Sequence, residues 1–145
     1  MIRAIGLLGL LTLALNACSS ANCTYGSSLG SWRARNGGIT LDLKGGGSYA
    51  ITIITKEGVR SASGSWSLDK SAGDCMISLS DFPFTLSDMQ GSVAMTASAP
   101  STPRAASTAA HFQIFKMEKS ASGAEVLIVG IGPEAISLQR ASRTN

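Results

Sequence analysis

The feature that most constrains this chain is a series of short segments in which apolar and polar residues alternate, separated by glycine-rich turns. Alternation with a period of two is typical of β-strands that bury one face. The predicted strands, seven or eight in all, lie at residues 39–43, 49–56, 60–68, 75–79, 92–97, 112–118, 125–131 and 136–140. Because most connections are short, neighbours in sequence should pair antiparallel. The sequence therefore predicts an all-β fold, a small antiparallel up-and-down barrel or sandwich of seven to eight strands.

The composition fits one small domain of this kind. The chain has 145 residues, of which 44% are hydrophobic and 14% are charged. Ample apolar content with low charge argues against extended disorder. The net charge is only +3, and the 12 basic residues are spread along the chain. Nucleic-acid-binding proteins need a basic stripe or patch, so we expect no nucleic-acid partner.

The first residues read as a bacterial signal peptide. Arg3 precedes an uncharged, leucine-rich stretch at 4–15, which matches an export signal and is too short to span a bilayer as a helix. The next motif, Leu15-Asn16-Ala17-Cys18, resembles the lipobox of bacterial lipoproteins. It has an aliphatic residue three positions before the cysteine, a small residue directly before it, and the obligatory cysteine itself.

The lipobox resemblance implies a specific maturation. A diacylglyceryl group would be attached to the Cys18 sulfur, the chain would be cleaved before Cys18, and the new amino group would be acylated. In lipoproteins of enteric type, a residue such as Ser19 implies transport to the outer membrane. We therefore expect a protein held by its lipid at the periplasmic face of the bacterial outer membrane. The alternative is an ordinary secretory peptide with a chance cysteine.

The domain organisation follows from this interpretation. The expected segments are a signal peptide at 1–17, a lipidated flexible tether at 18–31 and a single β domain at 32–145.

Cysteine usage predicts one disulfide. If lipidation uses Cys18, only Cys23 and Cys75 remain, and one pairing is possible. The periplasm is oxidising, so a bond between them would persist and would staple the tether to the domain. The alternative is a buried thiol at Cys75 and a free Cys23.

The tripeptide Gly-Ser-Trp occurs twice, at residues 30–32 and 64–66, each time near an alternating segment. Over about residues 30–80 the arrangement resembles the lipocalin-like small barrel of copper-response outer-membrane lipoproteins. That family also carries a Cys-x-x-Cys motif. This chain lacks the motif, so the resemblance does not imply metal sensing. The alternative is a chance recurrence in a chain rich in glycine and serine.

Residues suited to catalysis or metal binding are few. His111 is the only histidine and lies at the edge of a predicted strand. The acidic residues near turns, Asp69, Asp74, Asp81 and Asp88, lack the dense spacing of a calcium loop. We expect no enzymatic activity, no metal and no cofactor.

The hairpin at 112–131 is apolar on both faces, whereas a sheet with one wet side should alternate. One explanation is an exposed binding surface formed by Phe115, Met117, Leu127 and Val129. The alternatives are a bulge near Phe115 and internal packing beneath another segment such as 98–109.

These observations favour a membrane-anchored envelope lipoprotein that acts as a non-catalytic binding or interaction module. It would hold a small apolar ligand inside the barrel or a protein partner on the hairpin. The alternative is an inhibitor or immunity-type protective lipoprotein that blocks a secreted enzyme.

Overall fold

The computed structural model describes residues 23–70, 73–94, 103–105 and 113–141. Eight strands close into an antiparallel up-and-down barrel, so the predicted all-β barrel is confirmed. The strands, with one short extra strand β6, are β1 Gly30–Ala34, β2 Ile39–Leu43, β3 Ser48–Thr55, β4 Gly58–Asp69, β5 Met76–Leu79, β6 Pro103–Ala105, β7 Gln113–Lys119, β8 Glu125–Val129 and β9 Ile136–Arg140. The barrel closes because β9 pairs with β1.

The alternating residues that predicted the strands also fill the barrel. Leu41 on β2 lies opposite Trp32 on β1 and Ile51 on β3, and all three side chains are buried. Because side chains alternate between the faces of a strand, one residue in two points inward along each strand. The interior of an eight-stranded barrel is just wide enough to be filled by side chains.

The barrel has two distinct ends. The end that carries the Cys23–Cys75 bond, the β2–β3 turn and the β7–β8 turn is called here the disulfide end. The opposite end carries the helix α2, Leu86–Ala94, and the β1–β2, β3–β4 and β8–β9 turns. It is called here the helix end.

The segment after β5 leaves the sheet and enters the barrel. Asp81 makes this turn with a φ of 55°, a left-handed conformation in which aspartate is enriched. Phe82 and Phe84 then lie inside, and their ring centroids are 5.6 Å apart. The Phe82 ring also lies 6.3 Å from the ring of Phe115 on β7. Aromatic rings therefore occupy the space between β4 and β7, where β5 has ended.

Gly64 on β4 makes room for Tyr49 in this packing. The Tyr49 hydroxyl donates a hydrogen bond of 2.9 Å to the Ser80 carbonyl. A Cβ at position 64 would lie 2.5 Å from that carbonyl oxygen and 2.8 Å from Cε1 of the tyrosine ring. Burial, followed by the nearby charge of Asp81, raises the pKa of Tyr49 to about 12.

The strand predicted at 92–97 is wrong over the residues that the structure describes, because residues 86–94 form α2. Thr85 and Asp88 cap this helix reciprocally. The Thr85 amide donates to the Asp88 carboxylate at 2.8 Å, and the Asp88 amide donates to the Thr85 hydroxyl at 3.1 Å. Leu86, Met89 and Val93 have helical spacing and pack at the core. The cap and this spacing outweigh the short alternation at 92–97.

The first strand replaces part of the predicted tether. Residues 25–28 form a helical turn, α1 (Tyr25–Ser28), and β1 begins at Gly30. The packed body therefore starts before the predicted boundary at residue 32. Residues 19–31 are rich in serine and glycine, a composition typical of linkers, and this composition hides α1 and the start of β1. The part of the predicted tether before Cys23 lies outside the described residues.

A short parallel strand also lies within the predicted loop 98–109. β6 pairs with residues 59–61 of β4, on the edge that β5 does not reach. The rest of that predicted loop lies outside the described residues.

Candidate functional site

The predicted disulfide between Cys23 and Cys75 is present. The two Cα atoms are 5.5 Å apart, within the usual range for such bonds. Cys23 precedes α1 and Cys75 precedes β5, so the bond ties the N-terminal segment to the disulfide end. For a sequence separation of 52 residues, the chain-entropy model gives a stabilisation of about 4 kcal/mol.

A guanidinium holds the same segment from a second side. Arg140, at the end of β9, donates to the Leu29 carbonyl at 2.7 Å and to the Ser27 carbonyl. Its guanidinium carbon lies 4.4 Å from the ring centroid of Trp32, which is a cation–π contact. Its Nη2 atom lies 3.4 Å from the Glu125 carboxylate. The end of β9 therefore holds the residues directly before β1.

The two tryptophans of the Gly-Ser-Trp repeat close the disulfide end. Each indole donates a 3.0 Å hydrogen bond to a carbonyl, Trp32 to Ser28 and Trp66 to Lys44. The Tyr25 ring stacks on Trp66 with centroids 4.7 Å apart and planes 11° from parallel. Trp32 is thus covered by the guanidinium of Arg140, which also holds the N-terminal segment, and Trp66 by the phenol of Tyr25, which belongs to that segment.

The helix end has no disulfide among the described residues, and α2 is joined to it by amide side chains that donate to backbone carbonyls. Asn36 donates its side-chain amide to the Ser92 carbonyl at 3.1 Å, and Gln90 donates to the Glu134 carbonyl at 3.1 Å. Gly38 lets the helix approach this closely, because a Cβ there would lie 2.1 Å from the Ser92 oxygen. α2 therefore rests on the β1–β2 and β8–β9 turns.

A surface cleft of about 190 Å³ lies beside α2 at the helix end. Its lining consists of Thr55, Lys56, Glu57, Arg60, Ser87, Asp88 and Gly91. The Arg60 guanidinium lies 3.6 Å from the Asp88 carboxylate and 5.0 Å from the centroid of the Phe84 ring. Pockets for drug-sized ligands occupy about 300–1,000 Å³, so this cleft is suited to a single side chain or a small polar group.

The predicted binding surface on the hairpin is wrong, because Phe115, Met117, Leu127 and Val129 point into the barrel. Each is at most 3% exposed. Met117 lies opposite Leu127, which lies opposite Leu138 on β9, in a continuous interior row. Because the sheet closes into a barrel, this face of the hairpin belongs to the core. A hairpin that is apolar on both faces does not itself indicate which face is buried.

The outer face of the same hairpin carries the remaining apolar residues. Ile114 is 44% exposed, whereas Val126 is 5% exposed although it lies opposite polar residues of both neighbouring strands. Lys116 lies opposite Ile128 on this face, with its ammonium 3.1 Å from carboxylate oxygens of both Asp74 and Glu118. Hydrogen bonds and charges from these two groups raise the pKa of Lys116.

Sequence reasoning passed over several residues that now matter. No local sequence pattern predicts that Arg140 holds the N-terminal segment or that Tyr25 of that segment stacks on Trp66.

Residues 26–30, Gly-Ser-Ser-Leu-Gly, match the pattern of a hydrolase nucleophile elbow. Ser28 is fully buried in α1, however, and its hydroxyl donates to the Thr24 carbonyl at 2.9 Å. An elbow exposes its serine between a strand and a helix, so the match has no functional meaning here.

Other predicted features cannot be placed. Cys18, with the rest of the lipobox, and His111 lie outside the described residues. Within the described ranges, no three His, Cys, Asp or Glu side chains are grouped closely enough to hold a metal ion. In the same part of the chain, no helix has the length and apolar character needed to cross a membrane.

Comparisons with family models, with curated proteins and with solved structures found no match to this chain.

Proposed function

We propose that this protein is a membrane-anchored envelope lipoprotein that acts as a non-catalytic binding or interaction module at the periplasmic face of the bacterial outer membrane. The observation that carries the proposal is the relation between two cysteines. Cys18 ends the lipobox-like motif, and Cys23, five residues later, is bonded to the barrel. A lipid on Cys18 would be joined to a closed barrel through a short covalent path. Two or more acyl chains give stable membrane anchoring, whereas one gives only reversible binding.

The filled barrel supports a partner on the outside rather than a small apolar ligand within. The aromatic residues Phe82, Phe84 and Phe115 occupy the interior together with the aliphatic strand residues. Two charged residues of the cleft have structural contacts of their own, since Asp88 caps α2 and Arg60 lies over Phe84. A role in recognition fits these residues better than a role in bond-making chemistry.

Metabolic labelling with an alkyne fatty acid tests the anchor. Cells would express the full chain or the Cys18→Ala variant, followed by membrane fractionation. We expect the full chain to incorporate the label and to sediment with membranes, and the variant to do neither. A Ser19→Ala variant is the matched control and should still be labelled. An unlabelled full chain recovered in the medium would overturn the proposal.

A second candidate function is the inhibitor or immunity type, and one observation favours it. Ile131 is 96% exposed at the tip of the β8–β9 turn at the helix end. It stands between Gly130 and Gly132, whose φ angles are 90° and 77°. An apolar side chain on a protruding turn is suited to insertion into a cleft of another protein.

Photo-crosslinking from single positions would separate these candidates. A crosslinking amino acid would replace Ile131 on the turn, Ser87 in the cleft or, as a control, Ser122 at the disulfide end. An inhibitor should crosslink one secreted enzyme from position 131 and lower that enzyme's activity. A module that binds through the cleft should crosslink its partner from position 87 without inhibiting it. Crosslinks from position 122 alone would contradict both assignments of the surface.

A further inference from the structure

We infer that the disulfide end of the barrel lies against the lipid surface that holds the anchor, and that the helix end points away from it. This inference rests on the proposed lipidation of Cys18. It goes further by fixing the orientation of the barrel on the bilayer and by assigning that orientation to the Cys23–Cys75 bond.

The length of chain between the lipid and the barrel limits their separation. Four residues lie between Cys18 and Cys23, so five Cα–Cα steps separate the two cysteines, and an extended chain covers at most about 3.6 Å per step. The bond to Cys75 therefore lies within about 18 Å of the lipid-bearing cysteine. The first fixed point is at the disulfide end, so that end must be the one near the bilayer.

The contacts beyond Cys23 prevent the next residues from lengthening the tether. Beyond Cys23, the segment is held by Arg140 through two carbonyls and by the stacking of Tyr25 on Trp66. These contacts lie on β9 and β4, on different sides of the barrel from each other. A segment held by a covalent bond and by two strands does not act as a free hinge.

The exposed surface around this end can face a lipid headgroup region, whereas the short tether sets the orientation. Tyr25 is 43% exposed, and Lys44 after β2 and Lys70 after β4 are also exposed at the disulfide end. Tyrosine is enriched at membrane interfaces, and lysine ends reach lipid phosphates. Within the part of the chain that the structure describes, no disulfide joins the N-terminal segment to the helix end.

The geometry sets the height of the helix end above the bilayer. The eight residues of β3, at about 3.3 Å per residue and a tilt of about 40°, give a barrel height of about 20 Å. The cleft and Ile131 would be presented at that height. Without the disulfide and the contacts of Arg140 and Tyr25, the first fixed residue would be Gly30, and the reach would grow to about 40 Å.

Quenching by labelled lipids tests the orientation. Full-length lipidated protein carrying Ser122→Cys or Glu134→Cys would be labelled with bimane and reconstituted in phosphatidylethanolamine–phosphatidylglycerol vesicles. A fraction of the lipids would carry a nitroxide on the headgroup. We expect quenching at position 122 to exceed that at 134 by roughly threefold or more, since about 20 Å separates the two ends. Equal quenching, or stronger quenching at 134, would overturn the inference.

A longer tether is the matched control, because it leaves the disulfide intact. Ten Gly/Ser residues inserted between Ala21 and Asn22 add up to about 36 Å of reach. The difference between positions 122 and 134 should then disappear. If the difference persists with the long tether, the barrel surface itself, not the tether, sets the orientation, and the role assigned to the disulfide is wrong.

The same experiment separates failure of the inference from failure of the proposed function. A chain that is not lipidated would not float with the vesicles at either label position. A chain that floats but shows equal quenching is lipidated and not oriented as inferred.

Discussion

The two ends of the barrel are closed by different kinds of contact. At the disulfide end, side chains from distant parts of the sequence meet: a Cys23–Cys75 bond, the Arg140 guanidinium over Trp32 and the Tyr25 ring on Trp66. At the helix end, α2 rests on turns. Amide side chains donate hydrogen bonds to backbone carbonyls across this contact, and Gly38 lets α2 approach closely because it has no Cβ.

This difference indicates which end is suited to attachment at the membrane and which end is suited to contact with a partner. The disulfide end resists local opening because a covalent bond, aromatic rings and a guanidinium hold it. Attachment to a membrane requires such resistance. Hydrogen bonds at the surface, without a covalent cross-link beside them, open at lower free energy, and mobile binding elements are drawn from such regions. The surfaces that suit a partner, the cleft and Ile131, both lie at the helix end. The following predictions test this contrast, beginning with the largest expected effect.

Removing the disulfide should produce the largest loss of stability. The Cys23→Ser, Cys75→Ser double variant should lower the free energy of unfolding by about 4 kcal/mol, because the unfolded chain regains the entropy of an open loop. Urea unfolding followed by tryptophan fluorescence measures it. Hydrogen exchange should accelerate most in β1 and α1. A uniform acceleration that spares neither end would contradict the contrast between them.

At the helix end, Gly38→Ala should have the next largest effect. The new Cβ meets the Ser92 carbonyl of α2, and such overpacking costs about 1–3 kcal/mol. Gly45→Ala is the matched control, since a Cβ at that disulfide-end turn has no neighbour within 4 Å. Thermal unfolding of the two variants provides the comparison. Equal destabilisation by both would show that the close approach of α2 is not required.

Arg140→Gln should destabilise the disulfide end by about 1–2 kcal/mol, through the loss of charged hydrogen bonds and of the cation–π contact. Arg33→Gln, on the outer face of β1, is the control and should change the free energy of unfolding by less than about 0.5 kcal/mol. Hydrogen exchange at residues 27–30 is the local readout. Unchanged protection there in the Arg140 variant would refute the guanidinium's role.

The smallest effect concerns the ion pairs of Lys116 with Asp74 and Glu118 beside the disulfide end. Because these pairs raise the pKa of Lys116 above 10.5 in the folded protein, their stabilisation is complete below that pH. It is lost as the pH rises through the raised value. The stability difference between the native chain and Lys116→Gln should therefore shrink above pH 10.5 and in high salt. A difference that is constant across this range would mean that the pairs do not stabilise the fold.

Much of the barrel could be predicted from the sequence because alternation is a local signal. Ile39–Leu43 and Ile136–Arg140 were predicted with their observed bounds. The disulfide followed from the cysteine count. The polar composition of β1 hides the inward Trp32 and Ala34, and the cap of α2 at Thr85 lies outside the alternating segment that predicts a strand at 92–97.

The contacts at the two ends could not be predicted, since they depend on closure of the barrel. Arg140 and Leu29 are 111 positions apart in sequence, and no local pattern joins them. The same holds for Phe115 and Leu127, whose inward direction is decided by the register of β5 and β9 rather than by their own alternation.

The central claim is that the chain is attached to a membrane through Cys18, next to the end of the barrel that the disulfide holds. The intact mass of the protein purified from membranes tests this most directly. The account predicts a chain that begins at Cys18 and carries the added mass of a diacylglyceryl group and an amide-linked acyl chain. A chain that begins at another residue and carries no lipid mass would contradict it.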